Sequence, residues 1–374
     1  MAARRWHGRA MSEMKPRFWP RRMAAVKARH VAYAAAAVAI TTVLTVAALF
    51  AADLYFHRRA NRSAGVNIWG YRGPVVSKKQ VSEVRVAVLG GSTVFGYGVT
   101  WDESFPAQLE QKLNAGSGAR RFSVVNLGYN NEGAYSFRYT LEDYAYLQAD
   151  VVCLYEGYND LQGYGANESV YRHASPLFRA TGYFPILPLV FREKAMAIRS
   201  GGDLNAAYSA EGRTVFQPTL ASRAKSGALT AAADIGASIE RQLARLGSDP
   251  PAPTVAPAVR GCSRPWIEYC QRVSAAVDFA LAAGQRVIVV GQPRLSGERA
   301  RNRQIAQQRA LAAMLHERYA GRREVQYVDL GGAVDLKQVA LTFDGMHLTP
   351  EGNGRIADRL VPPVLIASRR GPAA

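Results

Sequence analysis

From residue 84 onward, short apolar runs alternate with longer stretches whose apolar positions recur at helical spacing. VRVAVLG (84–90) predicts a buried strand, and SFPAQLEQKLN (104–114) a helix for which Asp102 and Ser104 are available as N-terminal caps. RFSVVNLG (121–128) predicts a second strand, GAYSFRYTLEDYAYL (133–147) a second helix and ADVVCLYEG (149–157) a third strand. The rhythm breaks between 161 and 264, where FPILPLVF (184–191), an Ala-rich helical stretch around 220–246 and DPPAPTVAP (249–257) follow one another. It resumes with a helix over 266–284, QRVIVVGQP (285–293) as strand, a helix over 301–321, VQYVDL (325–330) as strand, and a final helix after DGMHLTPEG (344–352). Apolar strands alternating with amphipathic helices predict an α/β domain with a mainly parallel sheet covered on both faces. Such sheets bind ligands beyond the carboxyl ends of their strands. Ser92, Asn159 and the loop carrying Asp344 and His347 all fall there.

The N-terminal pattern is different. VAYAAAAVAITTVLTVAALFAA (31–52) has no charged side chain. As a helix rising about 1.5 Å per residue it reaches roughly 33 Å, enough to cross a bilayer core. It exceeds the roughly 7–15 residues of a signal-peptide apolar region, which predicts an uncleaved anchor; a buried Ala-rich helix and cleavage near Ala48 are the alternatives. The chain therefore divides into a basic tail (1–30), a transmembrane anchor (31–52), a polar, irregular connector (53–83) and a folded body (84–365) interrupted by an insertion at about 161–264. The tail holds Arg4, Arg5, Arg9, Lys15, Arg17, Arg21, Arg22, Lys27 and Arg29 against the single acid Glu13, whereas Arg58, Arg59 and Arg62 follow the span. This asymmetry predicts a cytoplasmic N-terminus, with everything beyond Asp53 outside.

Charge would otherwise mislead. A formal net charge of +18 suggests nucleic acid, but much of the excess lies in the tail, so no nucleic-acid partner is expected. Cys153 sits in an apolar strand and is expected to be an inert buried thiol. An oxidising compartment would permit a disulfide between Cys262 and Cys270, and their spacing leaves the question open. No cysteine cluster of metal-binding type occurs, and neither a metal nor a cofactor is expected.

The loop after the first strand, GGSTVFGYG (90–98), invites a phosphate-binding reading. Gly91 and Gly96 have P-loop spacing, but Tyr97 stands where the lysine must be; Gly96 and Gly98 begin a dinucleotide fingerprint that ends on Trp101 instead of glycine. The alternative is that the loop exposes Ser92 as a nucleophile, which requires a base and oxyanion donors. The G-x-S-x-G elbow is not matched, because Val94 replaces its last glycine. Asp344 precedes His347 by three positions, so one loop can present a base and the carboxylate that orients it. Of the other histidines, His7 and His30 precede the span and His57 borders it, while His173 and His316 lack a comparable carboxylate-and-turn setting.

Ser92 in GGST, a glycine after the second strand, Asn159 in GYNDL and Asp344/His347 in DGMHLT stand in the order of the SGNH (GDSL-type) hydrolases, which this chain resembles over about 84–360 outside most of the insertion. The resemblance implies a flavodoxin-like three-layer αβα sandwich. It implies Ser92 as nucleophile, His347 as general base and then acid, and Asp344 as its orienting carboxylate. The oxyanion hole would use the Ser92 amide, the Asn159 side chain and a glycine amide, Gly133 or alternatively Gly128; Gly133 is favoured because it directly precedes a helix. The family carries aspartate before the serine, and here Gly91 takes that place.

The expected function is a membrane-anchored, extracytoplasmic serine esterase at a bacterial inner membrane, hydrolysing an acyl ester, foremost O-acetyl, on an envelope carbohydrate. A lipid esterase of lysophospholipase type, an acyltransferase with the same triad and a non-catalytic envelope scaffold are the competing readings. FPILPLVF is either a lid over an acyl pocket, a membrane-facing segment or plain packing. Oligomeric state is not legible in the residues.

Overall fold

The computed structural model describes residues 19–59, 65–116, 120–130, 132–161, 173, 175–187, 190–191 and 260–369. The Ala-rich stretch around 220–246 and the Pro-rich 249–257 lie outside the described residues.

The first element, α1 (Trp19–Arg59), is one helix running past both ends of the expected span. Its segment Arg29–Arg58 contains an 18-residue window of mean hydropathy 2.2 and is long and apolar enough to cross a membrane. Val38, Leu44 and Leu49 are all exposed on it.

The body is built on five parallel strands: β1 (Glu83–Gly90), β2 (Arg121–Asn126), β3 (Val151–Glu156), β4 (Arg286–Gly291) and β5 (Val325–Asp329), in the order β2-β1-β3-β4-β5. Registers such as Val86 opposite Val124 and Val151, and Val152 opposite Val287, align the apolar runs across the sheet. These strands read as nearly continuous apolar segments because both faces are covered. On one face lie α3 (Phe105–Gly116) and α8 (Pro350–Ser368); on the other lie α4 (Ala134–Asp143) and α6 (Ile267–Ala282), with α7 (Glu298–Arg318) against α6. Phe105, Leu109 and Leu113 of α3, and Ile356, Leu360 and Val364 of α8, recur every fourth residue and are almost fully buried. Each such side chain contributes roughly 1.5–3 kcal/mol of transfer free energy. The remaining short helices are α2 (Ser92–Phe95) and α5 (Pro176–Thr181).

The strand order is that of the flavodoxin-like sandwich, whose crevice opens where the chain direction reverses, between β1 and β3. Ser92 follows β1 and Asn159 follows β3, so the two motifs meet at that switch point.

Three local features depart from the sequence expectation. The stretch expected as an irregular connector begins with the last residues of α1, and Val66 and Tyr71 are in the core. Arg72 bridges to Asn126 at the end of β2, extending the body upstream of β1. Ser104 does not cap α3 with its side chain; its hydroxyl donates to the Trp101 carbonyl, while Glu103 accepts from the Thr100 amide and hydroxyl. In FPILPLVF, Phe184 and Ile186 are buried core residues and Val190 packs against that core, which is the packing reading.

Cys262 and Cys270 are joined by a disulfide. Cys153 is a buried free thiol, pushed up to about 12 by burial.

Candidate active site

Ser92 is the first residue of α2, directly after β1, so its amide has no acceptor within the helix. The glycine before it is a steric requirement: a Cβ at Gly91 would collide with Asn159 Nδ2 and come within 2.8 Å of the Glu132 carbonyl oxygen. An aspartate at this position has no room while Asn159 occupies it.

The loop 342–348 supplies the other half. Thr342 and Leu348 form a β-bridge, the Phe343 amide donates to the His347 carbonyl at 2.9 Å, and Thr342 Oγ1 donates to the same oxygen at 2.8 Å. Gly345 turns this loop at φ 83°, and a Cβ there would lie 2.8 Å from Ser296 Oγ. Within the loop, Asp344 Oδ1 accepts from the amides of Met346 (3.0 Å) and His347 (2.7 Å). Asp344 Oδ2 lies 2.6 Å from His347 Nδ1, and His347 Nε2 lies 2.8 Å from Ser92 Oγ, across 255 residues of sequence. Burial raises the Asp344 carboxyl, but the hydrogen bonds and charge of His347 and the Met346 amide outweigh it and hold the group at about 2. The carboxylate is therefore ionised at neutral pH and fixes the Nδ1 proton of the ring, leaving the Nε2 lone pair toward Ser92. The Tyr97 ring packs against the imidazole with centroids 4.8 Å apart.

The oxyanion candidates converge beside this relay. Asn159 Nδ2 donates to the Glu132 carbonyl at 2.7 Å, which leaves a second amide hydrogen. The next residue, Asp160, accepts from the Ala134 amide at 3.2 Å through either carboxylate oxygen, so Asn159 and Asp160 together hold the turn containing Gly133. Gly133 is the N-cap of α4. Gly128 is placed differently: its amide donates to Asn126 Oδ1 at 3.0 Å, engaging the donor that the alternative assignment needs.

Two supporting residues carry no signal in the sequence. Gln292, after β4, donates to Thr93 Oγ1 (3.1 Å) and accepts from the Tyr158 amide (2.8 Å), linking the turns after β1 and β3. Arg72 is buried, and its guanidinium donates to the carbonyls of Phe95, Gly96 (2.6 Å) and Val99 (2.5 Å) at the end of the nucleophile turn, with its carbon 4.2 Å from the Phe95 ring centroid. Burial pulls this group down to about 10 against the charges of Asp102 and Glu103, so it remains a cation at neutral pH. Arg72→Met removes these three donations, leaving the Phe95 carbonyl the longer bond from Asn126 Nδ2 (3.4 Å) and the Gly96 carbonyl that from the Val99 amide (3.2 Å), and is expected to cost about 1–3 kcal/mol, read as a lowered melting temperature. A melting temperature unchanged from wild type would show that the turn holds without it.

His173 does have a carboxylate partner, contrary to the sequence expectation. Its Nδ1 lies 2.8 Å from Asp143 Oδ1 and its ring stacks on Tyr139, but Asp143 comes from α4, thirty positions earlier, where local spacing cannot reveal it. Among the described residues no group of three or more His, Cys, Asp or Glu side chains is placed to hold a metal.

Residues 88–355 match the GDSL-like lipase/acylhydrolase family, and this match covers most of the chain. The chain belongs to that family. It is an ester-hydrolysing serine hydrolase. No curated protein matches it. Among solved structures, this acylhydrolase is similar to an acetyl xylan esterase, AlAXEase, at 13% identity and a TM-score of 0.40, covering 75% of this chain and 100% of that one. It is similar at 13% identity and a TM-score of 0.40 to a catalytic mutant of an acetylxylan esterase from Geobacillus stearothermophilus, covering 77% and 95%. The aryl esterase of M. smegmatis is 15% identical with a TM-score of 0.35, covering 75% and 98%.

Proposed function

We propose that this acylhydrolase is a membrane-anchored O-acetyl esterase acting on an envelope carbohydrate, with Ser92 as nucleophile, His347 as base and Asp344 as its orienting carboxylate. The observation that carries the proposal is the continuous relay from Asp344 Oδ2 through both ring nitrogens to Ser92 Oγ. In the first half-reaction Ser92 Oγ bonds to the ester carbonyl carbon while its proton passes to His347 Nε2. The carbonyl oxygen becomes an oxyanion facing the amides of Ser92 and Gly133 and the free N–H of Asn159. Its collapse breaks the bond to the sugar oxygen, which takes the proton from the imidazolium. Water then repeats the sequence on the acetyl-serine, releasing acetate and restoring the hydroxyl.

Asn159→Ala tests the oxyanion role. Loss of one such donor is expected to lower kcat about 10²–10³-fold with a smaller effect on KM. A kcat within a few-fold of wild type would remove Asn159 from the assignment.

The envelope setting rests on separate observations. The apolar helix α1 supports anchoring, the basic tail ahead of it supports a cytoplasmic N-terminus, and the Cys262–Cys270 bridge supports an oxidising compartment for the body, the periplasm of a bacterial inner membrane. Carbohydrate is favoured over lipid because Phe184 and Ile186, in the most apolar part of the insertion, are committed to the core instead of lining an acyl-chain channel. The test is a fluorophosphonate probe followed by acetylated polysaccharide. Folded full-length chain is expected to be labelled at Ser92 and to release acetate, whereas absence of labelling would overturn the enzymatic reading. Labelling with activity only toward long-chain lipid esters would overturn the carbohydrate assignment.

A further inference from the structure

Beyond the carboxyl ends of β4 and β5, residues 294–296 and 331–337 with Arg301 line an open cavity of about 310 Å³ whose wall includes Arg294, Ser296, Arg301, Asp335 and Lys337. Arg294 and Lys337 are exposed and Arg301 is half-buried, and among the described residues none of the three forms an ion pair with a carboxylate. Asp335, the acid in the wall, is occupied locally: its oxygens accept from the Lys337 amide (3.1 Å) and Gln338 Nε2 (3.2 Å).

The position of Arg301 is electrostatically unfavourable for the helix that carries it. It lies in the first turn of α7, where its amide donates to the carbonyl of the N-cap, Gly297, at 2.8 Å. A helix N-terminus carries partial positive charge and favours anions; Glu298 is the acid of that turn, but among the described residues it forms no ion pair with Arg301, whose charge, with two more facing the same space, the helix end disfavours. The neighbouring Arg303 has a different engagement, over the Trp266 ring at 5.4 Å. An anion in the cavity would be attracted by all three cations together.

The cavity also adjoins the reacting loop. Ser296, in its wall, is the residue whose Oγ would lie 2.8 Å from a Cβ at Gly345, between Asp344 and Met346. Whatever occupies the cavity therefore lies on the Asp344 side of the relay, displaced from Ser92 itself. That is the place for a neighbouring unit of a polymer, not for the acyl group being cleaved.

We propose that this cavity binds an anionic group of the substrate, so that the esterase acts on an acidic acetylated glycan and not a neutral one. This deepens the carbohydrate-esterase reading and rests on it for the identity of the polymer, but the anion site stands on its own geometry. Carboxylate and phosphate share the required chemistry, and the experiment separates their sources.

Binding is measured by calorimetry on full-length Ser92→Ala protein in neutral detergent, where turnover is absent. The probes are an unacetylated oligogalacturonate, a xylo-oligosaccharide of equal length and glycerol phosphate. Oligogalacturonate is expected to bind at least about tenfold more tightly than the neutral oligosaccharide, the margin shrinking as sodium chloride screens the charges. Adding Arg294→Gln and Arg301→Gln is expected to abolish the margin, with Lys337→Gln as an independent surface variant and melting curves identifying any loss of fold. Equal binding of acidic and neutral oligosaccharides, or a margin that survives these substitutions in folded protein, overturns the proposal. Cation-dependent binding of glycerol phosphate alone overturns the acidic glycan in favour of a phosphate headgroup. Failure of the esterase reading is a distinct result: wild-type protein would then show no Ser92-dependent hydrolysis of p-nitrophenyl acetate, whatever the calorimetry gives.

Discussion

Ser92→Ala is expected to lower turnover of p-nitrophenyl acetate on the order of 10⁶-fold while leaving the melting curve unchanged. The size follows from the arrangement of the relay. Without Oγ there is no acyl-enzyme route, and His347 is left to activate water that no other group positions. The fold should be indifferent, because the hydroxyl's partner is the imidazole and not a core group, and the α2 backbone bonds from Gly96 and Tyr97 go to the Ser92 carbonyl, which alanine retains. Activity within tenfold of wild type would mean that a different residue is the nucleophile.

Asp344→Asn is expected to cost about 10⁴-fold in kcat, far more than loss of one hydrogen bond would suggest. The asparagine oxygen can still accept from the amides of Met346 and His347, so the loop keeps its shape. Its NH₂ group then faces His347 Nδ1, which must offer a lone pair there and carry its proton on Nε2, toward Ser92 Oγ. A base becomes a donor. Recovery of more than about a tenth of wild-type kcat would show that the carboxylate does not set the tautomer. The same carboxyl gives a pH expectation. Because it is held at about 2, below its ordinary value of 3.8, it stays ionised as activity falls on the acid side. Above about pH 4 this carboxyl should therefore add no protonation of its own to the acid limb of kcat/KM in the wild type, and a slope of two would contradict this. For stability the sign is that of a depressed acid: the contribution of Asp344 is complete above its unfolded value and is lost as pH falls from about 4 through about 2.

The parts of this molecule that were legible in its residues are those determined by local pattern. Each of the five strands is an apolar run bounded by polar or glycine residues, and each boundary shifted by no more than two or three positions. Asp344 and His347 could be paired from their spacing because one tight loop carries both. What stayed hidden depends on partners distant in sequence. One exception is local: the Asn126 side chain takes the Gly128 amide only two positions on, a bond set by side-chain conformation and not by pattern. Asp143 reaches His173 from another helix, and Gln292 ties two turns that lie well over a hundred residues before it. In the sequence Arg72 reads as part of a polar connector, because an isolated arginine has no pattern. Its burial makes sense only once the carbonyls of Phe95, Gly96 and Val99 face it.

That arginine also bears on how the hydrolase can be produced apart from its helix. The family match begins at residue 88, inside β1, and a polypeptide started there would lack part of a sheet strand and every donor to the nucleophile turn from upstream. Starting at Glu83 would restore the strand and still omit Arg72. The working minimum begins no later than Asp53, because the buried His57 ring lies against the Val66 and Phe184 carbonyls and Asp53 accepts from the Tyr183 hydroxyl and the Leu187 amide, and it then includes the bridge from Val66 to Arg72 and on to Asn126.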